Sequence, residues 1–408
     1  MAGSEHVVRQ AQEGPGEQRG SVATMPQSTL GVVGTSRKPD ERRLAIHPEH
    51  LARIEPELRA RILVEHGYGK RFGMSDAQLA TMLGGLRSRE QLLEEADIVL
   101  LPKPVWEDLT LRPPGSVLWG WPHCVQDEAM TQMAIDRRLT LIAWEAMNHW
   151  TSEGNFSLHV FHKNNELAGY CSVLHALQLA GRTGSYGRRL RAAVISFGAT
   201  ARGAVAALFA LGVHDVDVLT HRNVASVAAP MAPARLLRYE RDPDNPVRTM
   251  PVDASGSESI PEFLSEHDVI VNCVLQDTDA PLVFVHEDEL EAFAPGSLFI
   301  DVSCDEGMGF EWARPTSFAD PMLEVAPGIG YYAVDHSPSY LWNSATWEIS
   351  EALIPYLPGV MGGSDAWDAD LTIRRAIEIR DGVVQNPKIL SFQSRSPTFP
   401  HDKSADPG

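Results

Sequence analysis

The sequence predicts an α/β protein of two doubly wound, Rossmann-like domains joined by a long helix, with the active cleft between them. Three observations lead there. An apolar run, Ala193-Val194-Ile195, breaks at small residues and resumes as Ala204-Val205-Ala206-Ala207-Leu208-Phe209, the pattern of a buried strand turning tightly into a helix. Residues 30–163 alternate short apolar runs with helical periodicity, as parallel sheets do. The length, 408 residues, is enough for two full cores.

The elements follow in order. Residues 1–29 are rich in Ser, Gly, Gln and Glu and read as a disordered extension without the apolar centre of a signal peptide. Met25 stands just before the first strand-like run and offers a second start. Strands are expected near residues 30–33, 62–64, 98–101, 117–119 and 141–144, with a helix near 76–83. A long helix runs from about Asn165 through Tyr170, Val173, Leu174 and Leu177 to Ala180, with Gly181 as its stop. Further strands are expected near 193–195, 216–219, 269–274 and 297–302, and helices near 347–357 and 371–379. Residues 391–408, polar and rich in Ser and Pro, read as a disordered tail. A substrate domain is thus expected from residues 30–163 plus 335–390, and a nucleotide-binding domain from 164–334.

Composition narrows the function. A formal charge of −19 with no basic stripe argues against nucleic-acid binding. The most apolar segment, residues 192–213, contains Arg202 and the glycine turn, so it is a strand plus helix and not a membrane span. Cys124, Cys171, Cys273 and Cys304 are far apart and form no C-x-x-C pair, which suits a reducing cytoplasm and supports no metal site. The expected partners are small molecules.

The turn itself reads Ser196-Phe197-Gly198-Ala199-Thr200-Ala201-Arg202-Gly203. Against G-x-G-x-x-G/A, Gly198 and Ala201 fit and Ser196 stands where the first glycine belongs. Small residues here let a pyrophosphate approach the free N–H groups of a helix N-terminus. The next strand ends in Thr220-His221-Arg222, without the Asp or Glu that binds the ribose hydroxyls of NAD. A guanidinium suits a 2′-phosphate, so NADP(H) is the expected cofactor, with Val274 also at its site. Arg222 reads alternatively as a solvated strand cap.

Because ligands in open α/β sheets bind at the carboxyl ends of strands, four strand-end residues stand out: Arg43, Lys103, His123 and Asp305. Together they supply a guanidinium for a carboxylate, an amine and an imidazole for acid–base work, and a carboxylate for a cation. Taken singly, Arg43 and Lys103 read equally as surface charges, His123 as a core histidine among tryptophans, and Asp305 as a turn cap.

The same positions resemble the alanine dehydrogenase, transhydrogenase and saccharopine dehydrogenase superfamily. Glu41-Arg42-Arg43-Leu44-Ala45-Ile46 followed by Pro48 is similar to its N-terminal motif, whose arginine binds the keto-acid carboxylate. Pro102-Lys103-Pro104 resembles its substrate lysine segment, and His123 its catalytic histidine. Trp144-Glu145 and Asn165-Glu166-Leu167-Ala168-Gly169 resemble the approach to its interdomain helix. Asp301-Val302-Ser303-Cys304-Asp305-Glu306-Gly307 resembles a turn whose second aspartate lies beside the nicotinamide. The likeness spans residues 30–390. Asp335-His336-Ser337-Pro338 and the segment after it bring it nearest to the N5-(carboxyethyl)ornithine synthases, and Ser196 is the departure.

The resemblance implies NADPH-dependent condensation of pyruvate with the side-chain amine of ornithine or lysine, giving an N-(1-carboxyethyl) amino acid. Arg43 would bind the carboxylate, Lys103 orient the keto acid, His123 move protons, and Asp305 orient His123 or stabilise a cationic imine. It also implies a homo-oligomer. A saccharopine-type or alanine dehydrogenase-type oxidoreductase, or a non-catalytic NADP-binding sensor, are the other readings of the same residues.

Overall fold

The structure, a computed structural model, describes residues 28–221, 234–241, 249–252, 259–277 and 280–403. Six strands open the chain: β1 (Leu30–Val32), β2 (Ile62–Glu65), β3 (Gly85–Arg87), β4 (Ile98–Leu101), β5 (Val117–Gly120) and β6 (Thr140–Ala143). They lie in the order β3-β2-β1-β4-β5-β6, all parallel. Successive side chains of a strand point to opposite faces, and here both faces are apolar. Leu30, Val32, Ile62, Val64, Ile98 and Leu100 pack on one side, and Val99, Leu101, Leu118 and Leu141 on the other. A sheet buried on both faces needs helices on both, which is the doubly wound arrangement.

A hairpin, β7 (Asn148–Trp150) and β8 (Phe156–His159), leads into the linking helix His162–Leu179. The second sheet is built from β9 (Arg191–Ile195), β10 (Asp215–Thr220), β11 (Arg235–Arg241), β12 (Thr249–Val252), β13 (Val269–Asn272), β15 (Leu298–Asp301), β17 (Met322–Ala326) and β18 (Ile329–Tyr332). Its order is β12-β11-β10-β9-β13-β15-β18-β17, with only the two edge strands antiparallel to their neighbours. Between its strands sits a two-stranded pair, β14 (Val283–Val285) and β16 (Gly309–Phe310). In each sheet six consecutive parallel strands, β3 to β6 in the first and β11 to β18 in the second, follow the doubly wound order of two mononucleotide-binding halves, with the switch point at β1/β4 and at β9/β13.

The linking helix crosses the helix Ala199–Ala210, which follows β9. A Cβ on Gly203 would lie 1.7 Å from the Glu166 carbonyl oxygen, and one on Gly169 would lie 1.9 Å from that of Thr200. The helices therefore touch backbone to backbone, an approach only glycine allows. Gly203, expected at the cofactor, is corrected to this packing role.

Three other expectations are corrected. Residues 377–379 do not continue a helix: the helix Leu371–Ala376 hands over to β19 (Ile377–Arg380), which pairs antiparallel with β6 and carries the edge strand β20 (Val383–Val384). Ile377-Glu378-Ile379-Arg380 alternates with period two, and the free edge of β6 selects the extended form. The helix expected near 347–357 runs Trp342–Leu353, because Pro355 and Pro358 supply no N–H to carry it on. The tail is ordered through residue 403. Gln393, Arg395 and His401 are buried, with Gln393 Nε2 donating to the Cys124 carbonyl at 2.7 Å and Val384 N donating to His401 Nε2 at 3.1 Å. Side-chain hydrogen bonds hold this segment where apolar burial does not, so its composition gave no sign of order. At the other end, Ser28 N already donates to the Met361 carbonyl at 2.8 Å, while residues 1–27 and 404–408 lie outside the described residues.

Replacing Gly203 with Ala should cost about 3 kcal/mol or more, since neither backbone can retreat without moving a whole helix. The midpoint of urea denaturation, measured without cofactor, checks this.

Candidate active site

The substrate side is built on the loop after β1. Gly34 and Thr35 each donate a backbone N–H to Glu65 Oε2 at 2.8 Å, and Leu44 N donates to Thr346 Oγ1 at 2.9 Å, so the loop is pinned at both ends. Arg43 is buried between them. Its Nε and Nη2 donate to the two carboxylate oxygens of Glu41 at 2.9 and 2.6 Å, its Nη1 donates to Asn164 Oδ1 at 3.3 Å, and its guanidinium lies 5.0 Å from the Trp121 ring centre. Ser339 Oγ adds a hydrogen bond to Glu41 at 2.7 Å. Burial alone would raise the Glu41 pKa, but the Arg43 charge and these donors outweigh it and hold the carboxyl well below its usual range. Arg43 is thus neutralised by its neighbour. It offers an incoming carboxylate two remaining directed N–H groups.

Lys103 follows β4 and His123 follows β5, and the structure brings them together: Lys103 Nζ lies 2.5 Å from His123 Nε2. Burial in the cleft, then the Lys38 ammonium, push the Lys103 pKa down to about 8, against a smaller opposing pull from Asp335. The same surroundings and the Lys103 charge lower that of His123 well below its usual value, although 45% of its side chain remains accessible. The ammonium is therefore the donor and the neutral imidazole the acceptor. His123 has a left-handed backbone, φ 50°, and its N–H donates to Glu145 Oε1 at 2.7 Å, the same oxygen lying 3.8 Å from Nδ1. Burial, and then the Glu378 carboxylate, raise the Glu145 pKa, and its second oxygen is buried without a hydrogen bond.

Glu145 thereby takes the place expected for Asp305. The Asp305 carboxyl makes no hydrogen bond or ion pair among the described residues, and burial raises its pKa to about 6. It sits in a turn braced by Asp301, whose Oδ1 accepts from Asn272 Nδ2 at 3.0 Å and from the N–H groups of Ser303 and Cys304 at 3.2 Å each. Sequence reasoning noted Glu145 only within a longer likeness. The strand-end rule that found Lys103 and His123 also finds it, directly after β6. The rule reaches Asp335 as well, just beyond β18, where it forms an ion pair with Lys38 from the loop after β1 of the other sheet.

On the cofactor side, Ser196 has φ 90°, so the position demands what a glycine gives and the serine tolerates it. The helix Ala199–Ala210 starts at Gly198 with no side-chain cap and no acidic residue in its first turn. A Cβ on Gly198 would meet nothing within 4 Å, so the space facing these N–H groups is open. That donor set fits a pyrophosphate: Ser196, Gly198, Ala199 and Thr200 form the approach, Ala201 packs beneath at zero exposure, and the Arg202 guanidinium lies 4.3 Å over the Phe197 ring. His221 and Val274 line a cavity of about 370 Å³ beside the Tyr239 ring, at the ends of β10 and β13 where an adenosine would lie. Thr220 is buried at the end of β10 and does not line it. Arg222 lies outside the described residues. Among the described residues no His, Cys, Asp and Glu gather as metal ligands, and no helix is long and apolar enough to cross a membrane.

Two substitutions separate these roles. Ser196→Gly should raise stability by about 1 kcal/mol, the relief of a left-handed serine less the entropy a glycine adds to the unfolded chain. Gly198→Ala should leave the denaturation midpoint nearly unmoved yet weaken cofactor binding about tenfold or more, because its methyl occupies the open approach. Calorimetric titration with the dinucleotide, beside the denaturation curves, checks both.

Known proteins carry the same pattern. Residues 32–168 match the family described as alanine dehydrogenase/PNT, N-terminal domain, and residues 186–387 its C-terminal domain. The N(5)-(carboxyethyl)ornithine synthase of Clostridium botulinum is 24% identical over 324 residues, 77% of this chain and 89% of that protein. The alanine dehydrogenase of Halomonas elongata is 25% identical over 335 residues, 79% of this chain and 85% of its own. Among solved structures, an L-alanine dehydrogenase superposes with a TM-score of 0.70 at 19% identity, covering 89% of this chain and 98% of that one. A transhydrogenase from Sinorhizobium meliloti gives 0.65 at 18%, covering 88% and 99%. The chain belongs to the alanine dehydrogenase/PNT family, whose members are NAD(P)-dependent dehydrogenases.

Proposed function

We propose that the protein is an NADP(H)-dependent oxidoreductase that condenses pyruvate with the side-chain amine of ornithine or lysine and reduces the product to an N-(1-carboxyethyl) amino acid. The observation that carries the reading is the Lys103–His123 pair, a cationic donor and a neutral acceptor 2.5 Å apart at adjoining strand ends. A nicotinamide dinucleotide bound at the glycine turn would supply the hydride. The protein's own residues do the rest.

The keto-acid carboxylate takes the two open N–H groups of Arg43. The Lys103 ammonium donates to the ketone oxygen and draws electron density from its carbon, so a neutral amine adds there. His123 receives a proton as the carbinolamine forms and returns it to the departing hydroxyl, a shuttle for which a neutral imidazole is suited. Glu145 fixes the turn from which His123 works. Asp305 faces the developing cationic imine, and because these groups are held by other bonds beforehand, little reorganisation accompanies the reaction. NADP(H) over NAD(H) is supported by the absence of a carboxylate in Thr220-His221-Arg222.

The pH dependence follows from two opposed titrations. An ornithine or lysine side-chain amine is protonated at neutral pH and must lose that proton to attack, so rate rises with pH. Lys103 is cationic below about 8 and neutral above, so its help to the ketone falls as pH rises through that value. A bell-shaped profile is expected for reduced-cofactor oxidation with pyruvate and a diamino acid, and Lys103→Arg, which stays charged, should lose its alkaline limb. Oxidation that needs both pyruvate and a diamino acid supports the reading. Turnover with ammonia in place of the amino acid moves the protein to alanine dehydrogenase chemistry, and turnover with 2-oxoglutarate and lysine to saccharopine chemistry.

A further inference from the structure

The structure holds a second cavity of about 440 Å³, lined in part by the Lys38–Asp335 ion pair. Lys38 and Asp335 link it to the Lys103–His123 pair: both line the cavity, and both charges act on Lys103 and His123. The cavity also presents two charges of opposite sign, Arg314 and Asp320. Among the described residues neither side chain has a hydrogen bond or ion pair, so they share the cavity without satisfying one another. His336 forms part of the wall. It is 4% exposed, its Nδ1 lies 2.5 Å from Asp335 Oδ1, and its Nε2 is buried without a partner among the described residues. With Nδ1–H donating to Asp335, Nε2 is left as an acceptor.

A buried acceptor with nothing to accept costs about 1–3 kcal/mol, so it marks a place where a ligand donor belongs. An unpaired guanidinium and an unpaired carboxylate in one cavity are complementary to a zwitterion. The volume falls in the range of small-molecule sites.

We propose that this cavity holds the α-amino-acid end of the amine substrate, with the α-carboxylate on Arg314 and the α-ammonium between Asp320 and His336 Nε2. The side chain then runs past the Lys38–Asp335 pair and delivers its terminal amine to the ketone held at Arg43 and Lys103. From the α-carbon to the terminal amine there are four carbons in ornithine and five in lysine, spanning about 5–6 Å at ordinary bond lengths, enough to reach past one ion pair. This assignment rests on the reductive-condensation reading and deepens it by giving the amino-acid end of the substrate its own binding residues, which favour free α-amino acids over simple diamines that lack the carboxylate.

The test uses the full-length enzyme, L-ornithine and L-lysine as probes, and butane-1,4-diamine as the probe without a carboxylate. Arg314→Ala and Asp320→Asn should each raise the KM for the amino acid by about 10- to 100-fold, the range of a lost charge-assisted hydrogen bond, with far less change for the diamine. Both residues are at the surface, so the variants should fold, and the denaturation midpoint confirms it. Calorimetric titration of L-ornithine into the enzyme gives a readout independent of turnover. Amino-acid binding that is lost in Arg314→Ala supports the cavity even if no keto acid is turned over, in which case only the condensation reading fails. Turnover with ornithine or lysine at a KM that neither substitution moves overturns the cavity while leaving the condensation standing. Binding of neither amino acid overturns it outright.

Discussion

Everything in this molecule is measured from the contact between two helix backbones. At Gly169 and Gly203 the linking helix and the helix after the glycine turn approach until carbonyl oxygens occupy the space a methyl would take. Neither helix can slide or roll without a collision, so the linking helix becomes a fixed reference. Near its start, Asn164 reaches Arg43 in one domain. Further along, Ser337 Oγ donates to the Ala168 carbonyl at 3.1 Å, and His175 meets the Tyr332 hydroxyl at 3.1 Å, in the segment that carries Asp335. Arg43, the glycine turn and the Lys38–Asp335 ion pair are all registered against one rod.

The cleft shows a second regularity: its cations come with partners already in place. Arg43 has Glu41, Lys38 has Asp335, and Lys103 has a neutral imidazole. In a chain carrying −19 overall, this gives the cleft oriented donors instead of a diffuse positive field. Such donors discriminate by geometry, since an anion gains only where it meets their N–H vectors. Burial and the Lys38 ammonium keep Lys103 easy to deprotonate, against the smaller opposing pulls of Asp335 and Glu41.

Much of this was legible in the chain and some was not, for physical reasons. The sheets could be read because strands buried on both faces must be apolar throughout, and the strand-end rule then led to Arg43, Lys103 and His123 without any coordinates. The glycine turn was readable as a turn, but Gly203 was not readable as packing: its partner lies 37 positions earlier in sequence, and a backbone contact leaves no side-chain signature. Ile377–Arg380 carried both helical and strand periodicity in too few residues to decide, and the open edge of β6 decided it. Glu145 and Asp335 were visible but unremarkable, since a carboxylate gains its role only when folding places it against His123 or Lys38.

The first sheet is discontinuous in sequence, and this sets an order of events during synthesis. Strands β1 to β6 emerge first, yet the edge of β6 is covered only by β19 and β20. The turn bearing His123 is held from behind by Gln393, which lies 269 residues downstream of Cys124. The second sheet, contiguous between them, has all its strands before those covering pieces leave the ribosome. His123 is therefore among the last features to be fixed in place, after the second sheet already has all its strands. The Lys103–His123 pair gains its backing only once residues 377–393 have been made.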